Sequence, residues 1–283
     1  MGVARSLAGW LIREHERRPF AGPVLIFGRQ NVFVTLDEFE SMMRARGLRP
    51  RPLPRGMPAV ADIPSWTEGI QKGFTNDSAL FWMLAGLKVE HLDCSSYEGA
   101  EHIHDLNHPV PKELCGRYQL VLDCGTMEHV FDVRSTLRNI DLLAAPGGRV
   151  LHVSQASNWI EHGYYQFSPT LFFDFYGVNH YDDMICWLAD QGSADLNRTP
   201  WDWYKWPSDG RAPAFLSPNP VGIFFTAVRG EGEPLARVPR QGEYRGREAF
   251  GASAPPWWRA AIPRSVSRFA RKAYWRLKRE GRF

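Results

Sequence analysis

The sequence has few of the features that mark membrane, secreted or zinc-binding proteins. Its longest apolar run, residues 78–87, is about half as long as the roughly 20 residues of a membrane-spanning helix. A short apolar stretch at residues 8–12 is followed at once by charged residues, which is not typical of a signal peptide. None of the four cysteines forms a C-x-x-C pair, so a zinc site or redox motif is not expected. These absences favour a cytoplasmic protein with free thiols.

Composition and charge narrow the class further. The chain has 283 residues, of which 44% are hydrophobic and 23% charged, so a large folded core is expected and wholesale disorder is not. The net charge is +3, but residues 261–283 hold eight basic residues and one acid, a net of +7, which leaves 3 − 7 = −4 for the rest. An acidic body with a basic tail does not favour nucleic acid as a partner.

The chain divides into four segments by composition. Residues 1–19 predict an amino-terminal helix, and residues 20–230 predict one domain interrupted by a proline-rich loop at 50–64. Residues 231–260 mix glycine, proline and charged residues, which is typical of a flexible linker. Residues 261–283 predict a basic amphipathic helix.

Strands and helices alternate within the domain. Short runs that are mostly apolar predict strands at residues 24–27, 118–123, 149–153, 184–188 and 222–228, and two more polar runs predict strands at residues 89–93 and 100–105. Periodic segments predict helices at residues 35–47, 77–86, 133–144 and 168–177. Thr35, Asp77 and Ser168 are the predicted N-caps of three of them. This alternation predicts an α/β fold with a mostly parallel sheet and helices on both faces, and ligands of such sheets bind at the carboxyl ends of the strands.

Two acidic residues end successive predicted strands. Asp93 ends the strand at 89–93, and Asp105 ends a more polar strand at 100–105. A carboxylate there can accept hydrogen bonds from a ribose diol or from an adenine amino group, although a single acid in a turn can equally cap the loop. Two such acids at neighbouring strand ends favour a nucleoside site.

The turn after the strand at 118–123 is a second candidate. Gly125 and Thr126 are small, so the backbone can approach a ligand closely. Glu128 and His129 follow and are predicted to begin the next helix, where a carboxylate also favours the helix dipole. His129 could act as a base, as a hydrogen-bond donor or as a structural histidine.

Four segments of this region resemble a known family. Residues 118–121, 127–132, 137–140 and 146–151 are similar to the core of class I methyltransferases that use S-adenosylmethionine. That core runs from the fourth strand through a Glu-His-Val segment to a Pro-Gly-Gly turn. The resemblance covers about residues 22–228 and implies a Rossmann-like seven-stranded sheet whose seventh strand is antiparallel.

The resemblance also implies a role for individual residues. Asp93 would bind the ribose, Asp105 and Leu106 would contact the adenine, and the turn after the fourth strand would lie beside the methionine moiety. The residues that it assigns to the S-adenosylmethionine site are Gly28, Arg29, Gln30, Asp93, Asp105, Leu106, Cys124, Gly125, Thr126 and Glu128.

The first motif of the family is altered in this chain. Where the family has a G-x-G-x-G loop after the first strand, this chain has Gly28, Arg29 and Gln30. Arg29 could pair directly with the carboxylate of the methionine moiety. The Gly-Arg-Gln variant resembles a bacterial subset of methyltransferase-like proteins that also shares residues 97–100 and 104–107.

A polar and aromatic segment at residues 158–169 follows the fifth strand. His162, Tyr165 and Gln166 could orient or deprotonate a methyl acceptor, or the segment could simply pack its aromatic side chains on the sheet edge. We expect His162 to be the acceptor-side base, with His129 as the second choice and Tyr165 as a helper. These residues require no metal.

Two further segments allow several interpretations. Residues 201–207 are rich in tryptophan and could shape an acceptor pocket, stack on a sugar, form a protein interface or pack on their own domain. The basic tail could contact an anionic membrane surface, an acidic protein or nucleic acid, or dock on the acidic body. The apolar residues on one face of the tail helix are Ile262, Val266, Phe269, Ala273 and Leu277.

The leading expectation is methyl transfer from S-adenosylmethionine to an oxygen or nitrogen atom of a small molecule or glycan. The altered first motif supports an alternative, in which the chain is a non-catalytic binding or scaffold protein recruited through its basic tail. A different nucleotide-using enzyme is a third interpretation, but the chain lacks the G-x-G-x-x-G motif of an ordinary dinucleotide site.

Overall fold

The computed structural model describes residues 2–63, 66–192, 194–207, 212, 214–234, 237–241 and 264–282, with backbone alone for 264–269 and 282. The strands are β1 (Val24–Phe27), β2 (Asn31–Thr35), β3 (Phe74–Asn76), β4 (Val89–Asp93), β5 (His102–Ile103), β6 (Tyr118–Cys124), β7 (Ala144–Ser157), β8 (Tyr181–Asp190), β9 (Asp202–Trp206), β10 (Val221–Arg229) and β11 (Arg279–Arg282). The helices are α1 (Arg5–Arg17), α2 (Leu36–Ala45), α3 (Thr67–Gln71), α4 (Asp77–Ala85), α5 (Val133–Leu143), α6 (Pro169–Val178) and α7 (Arg264–Leu277).

One large sheet organises the molecule, in the order β11-β9-β8-β10-β7-β6-β1-β4-β5. The neighbouring strands β7, β6, β1, β4 and β5 run parallel to one another. Strand β10 is antiparallel to both of its neighbours, β7 and β8. The predicted α/β class with a Rossmann-like, mostly parallel sheet is therefore confirmed. The prediction of seven strands is two short, because β9 and β11 extend the sheet beyond β8.

Helices cover both faces of this sheet. On one face α1, α2 and α4 contribute Trp10, Phe39 and Phe81 to a core with the side chains of β1 and β6. On the other face α5 and α6 contribute Ile140 and Phe172 to a second core. All four residues of β1 are buried, as expected for a central parallel strand with helices on both sides.

A buried ion pair fixes α1 on the sheet. The guanidinium of Arg149, in β7, donates to the carboxylate of Glu14 and to the backbone oxygens of Glu14 and Arg18. Its Nε donates to Thr226 Oγ1 over 2.9 Å. Burial lowers the pKa of Arg149 to about 10, but the group remains charged at neutral pH and so pairs with the buried carboxylate.

The predicted N-caps are right in two cases and wrong in one. Thr35 and Ser168 are N-caps, and Thr35 forms the expected capping box with Glu38. Asp77 is not a cap: Asn76 Oδ1 accepts from the backbone of Ala79, and Asp77 lies inside α4 as a buried carboxylate.

The helix after β6 begins at Val133, as the pattern at residues 133–144 predicts, and not at Glu128 and His129. Met127–His129 form one 3-10 turn, and α5 starts at Val133 with Asp132 as its N-cap. Glu128 is therefore separated from α5, and the helix-dipole argument for it is wrong.

The carboxyl-terminal segment docks on the body. Trp275 is 6% exposed and packs on Trp206 and Phe215, with ring centroids 5.3 and 5.0 Å away. Leu277, predicted to lie on the apolar face of the tail helix, is 86% exposed. Ile262 and most of the predicted 231–260 linker lie outside the described residues.

The tryptophan-rich segment before and in β9 belongs to the core. Trp201 and Trp203 are buried, and both pack on Phe224 of β10. These two rings are not available for stacking on a ligand. Over the described residues, no helix combines the length and the apolar character needed to cross a membrane.

Candidate active site

The strand order reverses between β1 and β6, and polar residues meet there. From β1 the chain moves outward to β4 and β5, then returns to place β6 on the other side of β1. Gly28 follows β1 with a positive φ of 68°, and a Cβ at Gly28 would lie 3.4 Å from Asp93 Oδ2 and 3.9 Å from Thr126 Oγ1. Thr126 Oγ1 donates to the oxygen of Phe27 over 3.1 Å. The predicted residues Gly28, Asp93 and Thr126 are thus neighbours at a position where α/β sheets bind ligands.

The Gly-Arg-Gln loop is held by acidic partners that the sequence does not reveal. Arg29 Nη2 donates to Asp62 Oδ1 over 2.6 Å, so this guanidinium already has a carboxylate partner from the proline-rich loop. The backbone nitrogen of Gln30 donates to buried Asp77, and its side chain donates back to Phe27. A ligand carboxylate that pairs with Arg29 would share the guanidinium with Asp62.

Asp105 and Leu106 occupy the neighbouring loop after β5. Asp105 is exposed, and hydrogen bonds from Asn107 to its carboxylate lower its pKa. Leu106 is buried, and its backbone oxygen accepts from Asn139 of α5. Asn139 also bonds the backbone of His108 and of Val110, so one buried amide fixes the whole loop.

The end of β6 faces the candidate site with its backbone and not with the thiol of Cys124. Cys124 is buried within the core, and burial raises the pKa of its thiol to about 12. Its side chain therefore lies away from any ligand beside the sheet edge. Gly125 has a positive φ of 77° and donates to the oxygen of Val153 in β7, which turns the chain from β6 into the segment that carries Glu128.

Glu128 is a buried acid with an incomplete set of partners. Its side chain is fully buried, and its Oε2 accepts from Ser154 Oγ over 3.2 Å. Its Oε1 has no hydrogen-bond partner among the described residues. Burial, together with the charge of nearby Asp123, raises the pKa of Glu128 to about 7.

The segment after β7 is fastened to Glu128 by its backbone. The nitrogens of Tyr164 and Tyr165 both donate to the oxygen of Glu128, over 2.8 and 3.3 Å. Asn158 and Glu161 hold left-handed backbone conformations, with φ of 61° and 66°, which non-glycine residues adopt only where surrounding contacts require it.

These bonds bring His162 to His129. The ring centroids of the two histidines are 5.1 Å apart, and Trp159 packs on the other side of His162 at 5.1 Å. Burial lowers the pKa of each imidazole. His162 Nε2 is buried and unpaired within the described chain.

The hydroxyl of Tyr165 is committed elsewhere. It donates to the oxygen of Phe131 over 2.8 Å, and the ring stacks on Phe167. Gln166 accepts from the backbone of Trp159. Both side chains hold the segment in place, and neither is paired with the two histidines.

Three contributors were not predicted from the sequence. Ser154 supports Glu128, Asn139 fixes the loop after β5, and Asp62 pairs with Arg29. Ser154 lies at the carboxyl end of β7, so the strand-end rule that identified Asp93 could have identified it as well. The other two act across long sequence separations that no local pattern reveals.

Comparison with known proteins leaves the family open. No protein-family model matches the chain, and no curated protein sequence matches it. Solved structures that resemble it include phosphoethanolamine N-methyltransferase 2 of Haemonchus contortus in complex with S-adenosylmethionine. The two sequences are 9% identical, the alignment covers 79% of this chain and 52% of the Haemonchus chain, and the TM-score is 0.40. The CMeT domain of the citrinin polyketide synthase is 11% identical in sequence, the alignment covers 80% of this chain and 52% of that structure, and the TM-score is 0.38.

A third similar structure is the Burkholderia thailandensis 1,6-didemethyltoxoflavin-N1-methyltransferase, with 12% identity, 79% of this chain and 77% of that one covered, and a TM-score of 0.33. The chain spans about half the length of the first two structures. The fold class rests on the sheet order, and the function on the residues at its carboxyl edge.

Proposed function

We propose that the chain is a methyltransferase that transfers a methyl group from S-adenosylmethionine to an oxygen or nitrogen atom of a small molecule or glycan. The observation that carries the proposal is the meeting of Gly28, Asp93 and Thr126 where the strand order reverses. Of the segments that resemble class I methyltransferases, residues 127–132 follow directly after Thr126 at this edge of the sheet.

The residues present fit the donor. Gly28 has no side chain in front of Asp93 Oδ2, and a Cβ there would be in contact with that oxygen. Asp93 Oδ1 accepts from the backbone of Ser95, so the carboxylate is oriented while Oδ2 can accept from a ribose diol. Asp105 and buried Leu106 follow β5, which pairs with β4, and would contact the adenine. The donor supplies a methyl group on a positively charged sulfur, which is transferred in one displacement.

The acceptor side is formed by Glu128, His129 and His162. The buried His162 Nε2 is the atom placed to accept the proton that an attacking hydroxyl or amine loses. The bonds from Tyr164 and Tyr165 to Glu128 hold that histidine in position before substrate arrives.

Calorimetric titration of the purified chain with S-adenosylmethionine and S-adenosylhomocysteine tests the donor site. We expect 1:1 binding in the micromolar range, about −8 kcal/mol. Hydrogen bonds to charged groups contribute about 1.5–3 kcal/mol, so Asp93→Asn should weaken binding about 10- to 100-fold. Asp37→Asn, which removes an exposed carboxylate in α2, is the matched control and should bind normally.

A folded protein that binds neither compound at millimolar concentration would contradict the proposal and favour the scaffold alternative. If the donor binds, release of S-adenosylhomocysteine with pools of hydroxylated and amino-bearing small molecules and glycans distinguishes an enzyme from a binding protein. If none of these pools causes release of S-adenosylhomocysteine, the catalytic part of the proposal is contradicted.

A further inference from the structure

Three side chains with metal-binding atoms converge at the end of β6. One ligand atom from each of Glu128, His129 and His162 lies within 4.8 Å of the other two. They come from two separate segments, which the hydrogen bonds to the Glu128 oxygen hold together. The cluster therefore results from the fold and not from neighbouring positions on one helix.

Two of these side chains have buried atoms that need a partner. Glu128 Oε1 and His162 Nε2 are both buried, and neither makes a hydrogen bond to any described residue. No lysine or arginine of the described chain pairs with Glu128. A buried carboxylate without a cation is costly, and a metal ion would supply the missing charge and both missing contacts.

We propose that Glu128, His129 and His162 bind one divalent transition-metal ion, with Zn²⁺ as the best fit. Two imidazoles and one carboxylate are a known zinc ligand set, and three protein ligands leave a fourth position open. Zinc–ligand bonds are about 2.0–2.2 Å long, which places the ligand atoms of a tetrahedral ion about 3.3–3.6 Å apart. The three side chains, whose ligand atoms lie within 4.8 Å of one another, would move closer together when the ion binds.

The surroundings are those of a supported metal site. Ser154 Oγ donates to Glu128 Oε2, which leaves Oε1 for the ion and orients the carboxylate. Gly163 lets the two segments approach closely, because a Cβ there would lie 2.8 Å from the oxygen of Glu128 and 3.2 Å from His129 Nδ1. Such contacts to ligand residues typically determine metal affinity about 10- to 100-fold.

The open position points to an activating role, and this role alone rests on the proposed function. A metal ion there would bind an acceptor hydroxyl and lower its pKa, so that its proton leaves to solvent. The oxygen lone pair then forms the bond to the methyl carbon, and the electrons of the carbon–sulfur bond stay on sulfur. His162 would then act as a ligand and not as the base.

Zinc binding is measured directly, without any methyl-transfer assay. Tag-free, metal-stripped protein is titrated with ZnCl₂, and Co²⁺ is used to record the absorption of the bound ion. We expect one ion per chain. Glu128→Gln, His129→Ala and His162→Ala should each weaken binding by more than about 100-fold, and Ser154→Ala by about 10-fold.

His180→Asn is the matched histidine control. His180 is exposed at the start of β8 and has a positive φ of 59°, which asparagine tolerates. This variant should bind zinc as the unmodified chain does. Absence of zinc binding at 100 micromolar, or binding retained in both His162→Ala and Glu128→Gln, would overturn the proposal.

Failure of the metal-site proposal can be distinguished from failure of the methyltransferase proposal, because the two are measured with different ligands. Titration with S-adenosylmethionine reports the donor site, and we expect His162→Ala to bind the donor normally. A Co²⁺ spectrum of the unmodified chain without nitrogen-ligand features would overturn the metal site even if every variant failed to fold. Donor binding without zinc binding would leave the enzyme proposal standing and remove the metal.

Discussion

The rings of His129 and His162 lie 5.1 Å apart, and the backbone between them sets this distance. The oxygen of Glu128, one residue before His129, accepts from the nitrogens of Tyr164 and Tyr165. Gly163 lies next to these two hydrogen bonds, where the backbone of Glu128 is too close to leave room for a side chain at residue 163. The position of both imidazoles therefore depends on one residue that has no functional group.

The first prediction tests this close approach. A methyl group at residue 163 would lie 2.8 Å from a backbone oxygen, a distance that cannot be relieved by rotating a side chain. We expect Gly163→Ala to displace the segment, to weaken zinc binding by at least about 10-fold, and to cost about 1–3 kcal/mol of unfolding free energy. Zinc titration and urea unfolding measure the two effects.

The control for this variant is a glycine with free space around it. Gly177 in α6 is exposed, and the nearest atom to an added Cβ is the end of Met184 at 3.9 Å. Alanine there should stabilise the helix by about 0.5–1 kcal/mol and leave zinc binding unchanged. Normal zinc affinity in Gly163→Ala would show that the close approach does not position the histidines.

Local patterns located Gly28 and Asp93 at one edge of the sheet because each lies at the end of a strand. Gly28 follows the buried apolar strand β1, Asp93 is the last residue of the more polar strand β4, and parallel strands bring their carboxyl ends to one edge. The partners of this loop were not predictable, because Asp62 comes from a proline-rich segment without periodicity. Pairing of β9 with β11 was missed for the same reason: strand partners across a long connection leave no local signal.

The second prediction concerns Gly28, where backbone and space both require glycine. Alanine at a positive φ is strained and should cost about 1–2 kcal/mol. Its Cβ would also contact Asp93 Oδ2, the oxygen proposed to bind the ribose. We therefore expect Gly28→Ala to lose both stability and affinity for S-adenosylmethionine.

Gly147→Ala separates the two effects. Gly147 has nearly the same φ, 69° against 68°, but no described atom lies within 4 Å of its would-be Cβ. This variant should lose similar stability in urea unfolding and bind the donor normally. Equal donor affinity in Gly28→Ala and Gly147→Ala would mean that the space before Asp93 is not used.

The third prediction is a pH dependence of stability from His91. Burial disfavours the charged imidazole, but the hydrogen bond and charge of Asp77, with the charge of Glu101, outweigh both burial and Arg29 and raise the pKa of His91. The resulting stabilisation is fully present below the ordinary pKa of histidine, 6.5, and is lost as pH rises through the raised value. Asp77, whose pKa is lowered, loses its contribution only in acid.

We therefore expect the unfolding free energy to fall between pH 6 and pH 9. His91→Gln keeps a neutral donor for Asp77 and removes the titration, so its stability should be lower at pH 6 and change less toward pH 9. His108→Gln, at an exposed histidine, should follow the unmodified chain. Parallel pH profiles for His91→Gln and the unmodified chain would contradict the assignment.

The fourth prediction concerns the docking of the basic tail. Trp275 is the buried anchor of α7, and β11 pairs with β9 beyond it. Removing a buried tryptophan costs about 3–5 kcal/mol, so Trp275→Ala should raise local opening of the tail by about 100-fold or more. Faster trypsin cleavage within residues 264–282 is the expected result, with the rest of the chain intact.

Leu277→Ala is the control, because this side chain is 86% exposed and its removal should not change the cleavage rate.

Release of the tail also tests membrane contact, since a basic helix freed from the body can bind anionic vesicles. Vesicle binding by the unmodified chain that is lost on deleting residues 261–283 would establish such contact. Binding that appears only in Trp275→Ala would show that docking on the body competes with it, and equal cleavage of both variants would contradict the anchor.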